Sequence, residues 1–441
     1  MKRPAALRRS PFDRDIYRLA LPALGALIAE PLYRLTDTAV VGHLGTDELA
    51  GMAIANAVLA TGFAVFIFLA YGTTSAVARL IGAGEHGRAA HQAVQSLWLA
   101  VGLGVALSAI LWVTADPLIR LLGGEGAVAA NARVYLRVSV LGLPVTFVIL
   151  AGVGYLRGLQ DTRTPLYVAV GTAVVNLVLE VWWIFGLGFG IGASALSTVV
   201  AELLAATIYL TMIRRATRAH RTPWWPHART IAGLGRAGVS LFLRTAALRG
   251  AFTLATAVAA RIGAAELAAY QIAFELMYLM ALALDAIAIA GQAMTGRFLG
   301  AGDGVAARAA GKRMIEWAVI AGVGVGLVLA VLSPVLGELF TDDPAVLALT
   351  GALIFYVGLL QPLNGYVFAL DGILIGAGDL AFLARAMLVA FLVFAPAAVS
   401  VLVFDLGIGW LWIALTLLFL ARAVVLGRRF HGDAWIRLGA D

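Results

Sequence analysis

The sequence contains no cysteine, which excludes a disulfide framework, a thiolate metal site and a cysteine nucleophile. Charge is also scarce. Only 13% of its 441 residues are Asp, Glu, Lys or Arg, against about 25% in a soluble domain. No Walker A motif is present, and no stretch between apolar segments is large enough for a nucleotide-hydrolysing domain. Glu85, His86 and His91 lack the helical His pair of a metalloprotease, so no metal or other cofactor is expected. The leader from Met1 to Asp15 is basic and polar, with no short apolar core and cleavage site behind it, and it reads as cytoplasmic. No nucleophile–base constellation stands out, which argues against an enzyme.

What the sequence does have is apolar length: 62% of residues are hydrophobic. Segments of about 20 apolar residues, enough to span a bilayer, fall at roughly 16–40, 49–78, 90–115, 128–154, 165–187 and 192–213. A second set falls at roughly 236–260, 267–296, 312–336, 345–374, 381–404 and 408–427. The expected class is therefore an all-α polytopic membrane protein with twelve transmembrane helices. The net charge of +7 is spread among short loops, which is a topology signal and gives no reason to expect nucleic acid. The odd-numbered connections hold only Arg120, Arg133, Arg137 and Arg261. The positive-inside rule then places both termini in the cytoplasm, with the chain multi-pass in the inner membrane.

The two sets of spans are copies. Arg79-Leu80-Ile81-Gly82-Ala83-Gly84-Glu85 returns as Arg297-Phe298-Leu299-Gly300-Ala301-Gly302-Asp303, an offset of 218 (297 less 79). The same offset relates Pro144 to Pro362, Gly158 to Gly376 and Asp161 to Asp379. An even number of spans per copy gives both the same orientation, so the two six-helix lobes are expected to be related by a pseudo-two-fold along the membrane normal. Two such lobes around a midplane cavity form a transporter architecture. The expected organisation is an N-lobe over 1–213, a cytoplasmic linker over 214–235 and a C-lobe over 236–441.

Charge inside the spans marks the candidate site. Each charge at a bilayer centre costs roughly 2.5–3.5 kcal/mol on insertion scales. Glu30, Arg34 and Asp37 lie on one face of the first span, at i, i+4 and i+7. Asn176 and Glu180 share a face of the fifth. Under the repeat offset Asp37 falls on Ala255, Asn176 on Phe394 and Glu180 on Ala398, whereas Thr198 falls on Thr416. The first copy thus has a polar cluster that the second lacks. Two carboxylates and an amide facing one interior could take up and release a proton or a metal cation, or could close the lobe as a structural network.

Other intramembrane charges read both ways. Arg34 could neutralise Glu30, or bear directly on Asp37. Glu275 could meet a cationic substrate, or pair with Arg244 or Arg249. Asp371 lies near the cytoplasmic end of its span, where a solvated role is expected as readily as a substrate contact. Pro22 and Pro31 interrupt the backbone hydrogen bonding of the first span, as a hinge or a static kink.

Leu21-Pro22-Ala23 followed by Thr36-Asp37-Thr38-Ala39 and Gly42-His43-Leu44-Gly45 resembles the first helix of the multidrug and toxic compound extrusion (MATE) transporters. Arg79 to Glu85, the run Gly186 to Ala193 and Leu370 to Ala377 resemble other blocks of that family, closest to its DinF-like branch. The resemblance covers essentially the whole chain. It implies an exporter of organic cations and amphipathic drugs, exchanged for H+ or Na+ by rocker-switch alternating access. It maps a coupling site onto Asp37, Asn176, Glu180 and Thr198, with Glu where the family more often has Asp, and a helix bend onto Pro22. Drug-like molecules and membrane lipids are the expected partners, and a monomer the expected state. A lipid-linked precursor flippase on the related fold is the alternative, which Arg34, Arg244 and Arg249 would serve.

Overall fold

The structure is a computed structural model describing residues 10–440, the side chains of residues 63–65 aside. Thirteen α-helices make up the described chain: α1 (Asp13–Gly42), α2 (Thr46–Phe63), α3 (Phe68–Gly82), α4 (His86–Leu121), α5 (Gly126–Gly158), α6 (Arg163–Val181), α7 (Gly192–Ala219), α8 (Ala228–Ile262), α9 (Ala264–Gly300), α10 (Gly304–Leu336), α11 (Pro344–Gly376), α12 (Leu380–Val403) and α13 (Ile408–His431). A 3-10 turn, Ala64–Ile67, joins α2 to α3 in one rod, and a π turn, Trp182–Gly186, extends α6. Among the described residues, ten helices are long and apolar enough to cross a membrane. The other two rods are α1, which carries the charges, and the broken α2–α3.

The helix bounds reproduce the offset of the sequence repeat. Adding 218 to Gly126–Gly158 gives Pro344–Gly376, and adding it to Thr46 and Gly82 gives Ala264 and Gly300. Where the first copy breaks between α2 and α3, the second runs straight through as α9. The connection between copies is shorter than its polar composition implied. Helix α7 continues to Ala219 and α8 starts at Ala228, because the arginines there sit on exposed helix faces that water tolerates.

The described chain divides into two compact units, one comprising Gly25–Gly238 and the other residues 10–24 together with Val239–Gly439. The divisions fall inside α1 and α8, not in the connection between the copies. In the Gly25–Gly238 unit α5 is central, packing on α2, α3, α4 and α7. In the other unit α11 takes the same place among α9, α10 and α13.

Backbone contact locks both centres. A Cβ at Gly372 would lie 2.3 Å from the Ala288 carbonyl oxygen, and one at Gly154 would lie 2.6 Å from that of Ala70. Both pairs obey the same offset, so the same glycine lets α11 meet α9 and α5 meet α3. The repeated Arg79–Glu85 and Arg297–Asp303 segments are helix ends of one design. Gly84 and Gly302 take φ of +75° and +78°, and the amides of Glu85 and Asp303 return to the carbonyls of Leu80 and Phe298 at 2.9 Å, closing the helix by the left-handed glycine motif.

Candidate functional site

Helix α6 positions the first two residues. Its outer face, Tyr167, Val170, Val174, Val178 and Val181, is apolar and exposed, as a lipid-facing surface should be. Asn176 and Glu180 are on the other face and are completely buried. Helix α1 brings Asp37 against them, and Asn176 Nδ2 donates to Asp37 Oδ1 across 2.8 Å. Asp37 and Glu180 are close enough for their charges to interact. Ser194, in the first turn of α7, is fully buried beside Glu180.

The polar atoms of this cluster are under-satisfied. Neither carboxylate oxygen of Glu180 has a hydrogen-bond partner among the described residues, and nor do Asn176 Oδ1 and Ser194 Oγ. A buried carboxylate without a counter-charge is costly unless it holds a proton or a cation. Two carboxyl groups with two further oxygens around them form an arrangement suited to loading and unloading one.

Thr198 belongs to the cluster at one remove. Tyr33 donates its phenolic hydrogen to Thr198 Oγ1 at 2.7 Å, and the threonine hydroxyl donates to the Ser194 carbonyl at 3.2 Å. Tyr33 lies one turn before Asp37 on α1, so it ties the helix carrying Asp37 to α7. Sequence reasoning missed Tyr33 and Ser194. The i, i+4 spacing of Tyr33 and Asp37 was a signal for the first. For the second it was the repeat mate, since Ser194 falls on Trp412.

The second copy is the internal contrast. Ala251, Ala255, Phe394, Ala398 and Trp412, the mates of Tyr33, Asp37, Asn176, Glu180 and Ser194, are all buried in one apolar core. Every polar group of the cluster has been replaced by hydrocarbon or indole. Thr416 survives, bonded to Tyr356 at 2.7 Å.

The remaining residues singled out in the sequence lie elsewhere. Arg34 pairs with Glu30 at 2.7 Å, and both side chains are about three-fifths exposed, so the arginine neutralises Glu30. Helix α1 runs unbroken through Pro22 and Pro31. Glu275 is exposed and accepts from Gln271 at 3.2 Å, while Arg244 turns instead to Asp371 at 2.6 Å. Asp371 is therefore not a solvated helix end. It is buried, and Arg422 of α13 holds the same carboxylate oxygen. Arg34 and Arg244, two of the three arginines that would serve a lipid-precursor flippase, are thus each in an ion pair.

The repeat and the cluster together set the comparison with known proteins. A MatE family model matches residues 22–182 and again residues 241–399. The chain belongs to the MatE family. The two matched stretches are the two copies, and the family is one of membrane transporters that move small molecules by ion coupling. Among MatE relatives, the chain is 34% identical to Protein DETOXIFICATION 44, chloroplastic, of Arabidopsis thaliana, over 96% of this chain and 82% of that one. It is 30% identical to the DNA damage-inducible protein F of Escherichia coli, over 96% and 94%. In fold it is similar to a MATE structure solved in the bent conformation, with a TM-score of 0.85 at 23% identity, covering 97% of this chain and 95% of that one.

Proposed function

We propose that this protein is a secondary active exporter of organic cations and amphipathic drugs, driven by a cation gradient, with the proton as the coupling ion. It works in the cytoplasmic membrane with both termini inside, and the copies 1–213 and 236–441 are its two lobes. Family membership supports drug export. The observation that carries the coupling is the enclosed pair Asp37 and Glu180, set against its apolar mates Ala255 and Ala398. A carboxylate pair confined to one copy gives one titrating site per transporter, and Asn176 and Thr198 orient the helices that form it.

The proton reading rests on chemistry. Glu180 is long, buried and without hydrogen-bond partners among the described residues, and a single proton relieves the charge of a buried carboxylate without the fixed cage of oxygens that sodium needs. The test is efflux of a fluorescent organic cation from proteoliposomes with proton and sodium gradients imposed separately. Flux driven by the proton gradient and lost in Asp37→Asn supports the reading. Flux driven by sodium alone refutes the choice of ion, and undiminished gradient-driven flux in Asp37→Asn refutes the site.

A further inference from the structure

Each compact unit holds the leading end of one helix whose later part belongs to the other unit. In the Gly25–Gly238 unit, the buried carboxamide of Gln95 on α4 accepts from the His227 amide at 2.7 Å and donates to the Trp225 carbonyl at 3.0 Å. Trp98 Nε1 donates to the Trp224 carbonyl at 2.8 Å. These bonds hold the leading end of α8, whose later part from Val239 belongs to the other unit. In that other unit, Arg313 on α10 donates to both carboxylate oxygens of Asp13, at 2.5 and 3.0 Å, and Trp317 Nε1 donates at 2.9 Å. Phe12 meets the Phe298 ring edge-on at 5.7 Å. These contacts hold the leading end of α1, whose later part from Gly25 belongs to the Gly25–Gly238 unit.

Gln95 and Arg313 are repeat mates, 218 apart (313 less 95). One position on α4 and α10 therefore performs one task in both copies, with different chemistry. The neutral amide grips α8, which delivers Ala255 to a dry core. The charged, bidentate clamp grips α1, which delivers Asp37 to the carboxylate pair. Between Asp13 and Asp37 lie about 36 Å of helix at 1.5 Å per residue. The division between units falls between the two, at Leu24–Gly25, two residues beyond Pro22.

We infer that Asp13, Arg313 and Trp317 form a fixed anchor against which α1 positions Asp37, so that coupling depends on a clamp at the far end of the helix from the site. The three are positioning residues, and the inference rests on the transport reading for its functional half. A helix bonded at one end to one unit and at the other end to the second must bend or slide when the units move. Pro22, which leaves one helical hydrogen bond unmade, stands where that bend would come.

The experiment uses the full chain in Asp13→Asn, Arg313→Gln and the charge-swapped Asp13→Arg with Arg313→Asp. Hydrogen exchange over residues 10–24, binding of ethidium and gradient-driven ethidium efflux are each measured. The single variants should exchange faster over 10–24, bind ethidium within about twofold of the parent and lose about fivefold or more of coupled efflux. The swapped pair should recover at least about half of that loss. Because the chain has no cysteine, Asp13→Cys with Arg313→Cys can also be joined by a short bismaleimide, and the joined protein should still transport.

Single variants with parental efflux would overturn the inference. So would a joined protein that binds ethidium and cannot move it, because the contact would then have to open in every cycle. A parent that moves no cation under any gradient sinks the transport reading alone. The anchor is then decided by exchange, and unchanged rates over 10–24 in Asp13→Asn overturn it.

Discussion

Asn176 hydrogen-bonds Asp37 across 139 residues of chain, its Nδ2 donating to Oδ1 at 2.8 Å. The amide keeps a carboxylate on α1 facing the interior of α6 without neutralising it, since an amide brings no charge. That distinguishes this pair from Arg34 with Glu30, and it sets the first expectation.

Replacing Asp37 by Asn should leave a protein that folds and binds drug while gradient-driven efflux falls to about one tenth or less. Efflux assayed beside ligand binding on the same preparation separates lost coupling from lost protein.

Tyr33→Phe should act more gently. It removes the donor to Thr198, a neutral hydrogen bond worth about 1 kcal/mol net, and loosens α1 against α7. Efflux should drop several-fold with its dependence on the gradient intact, and a change of driving ion would contradict the role given to Tyr33.

Placing the missing carboxylate in the second copy should fail. Ala255→Asp buries an acid among Ala251, Phe394 and Ala398, at a cost of about 2–7 kcal/mol. Thermal unfolding in detergent should show a clear loss, and no second coupling site should appear in transport stoichiometry.

Asp371→Asn should be among the most damaging changes. It leaves the guanidiniums of Arg244 and Arg422 on a neutral amide in a buried place, and breaking such a pair costs about 3–5 kcal/mol. Adding Arg422→Met to Asp371→Asn should restore most of the thermal stability. A double variant no better than the single would show that the cluster does more than balance charge.

The anchor should be indifferent to pH where coupling is not. Arg313 beside it holds the Asp13 carboxyl well below the usual carboxylate range, against a smaller opposing effect of burial. A carboxyl lowered on folding contributes its stability above its unfolded value of about 3.9 and loses it only as pH falls through the lowered value. Protection from exchange over residues 10–24, taken as the observed rate against the intrinsic rate at each pH, should therefore stay flat between about pH 5 and 8, while efflux varies across the same range.

Much of this was legible in the sequence, for identifiable reasons. The repeat is written in glycines and helix ends that backbone geometry demands, so its offset anticipates the helix bounds. Asn176 and Glu180 could be paired because a buried polar residue in a membrane helix is expensive and their i, i+4 spacing fixes one face. Partnerships between distant helices were not legible. Arg422 reads as one more basic residue at a cytoplasmic helix end, yet it is buried 51 positions from its partner Asp371. Tyr33 and Ser194 carry no charge, so neither raises the insertion cost that drew attention to Asp37. The grip of Arg313 on Asp13 spans 300 positions, beyond the reach of any periodicity.

The glycine contact of α11 with α9, and its mate of α5 with α3, bears on how movement in this molecule can be observed. With carbonyl oxygens only 2.3 and 2.6 Å from where a Cβ would stand at Gly372 and Gly154, the paired helices meet backbone to backbone, with no flexible side chain between them. Each glycine-seamed block is a natural ruler. Spin labels on exposed faces of α9 and α11 should report one constant separation throughout the cycle, and distances taken from that ruler to α1 would record its motion in ångströms.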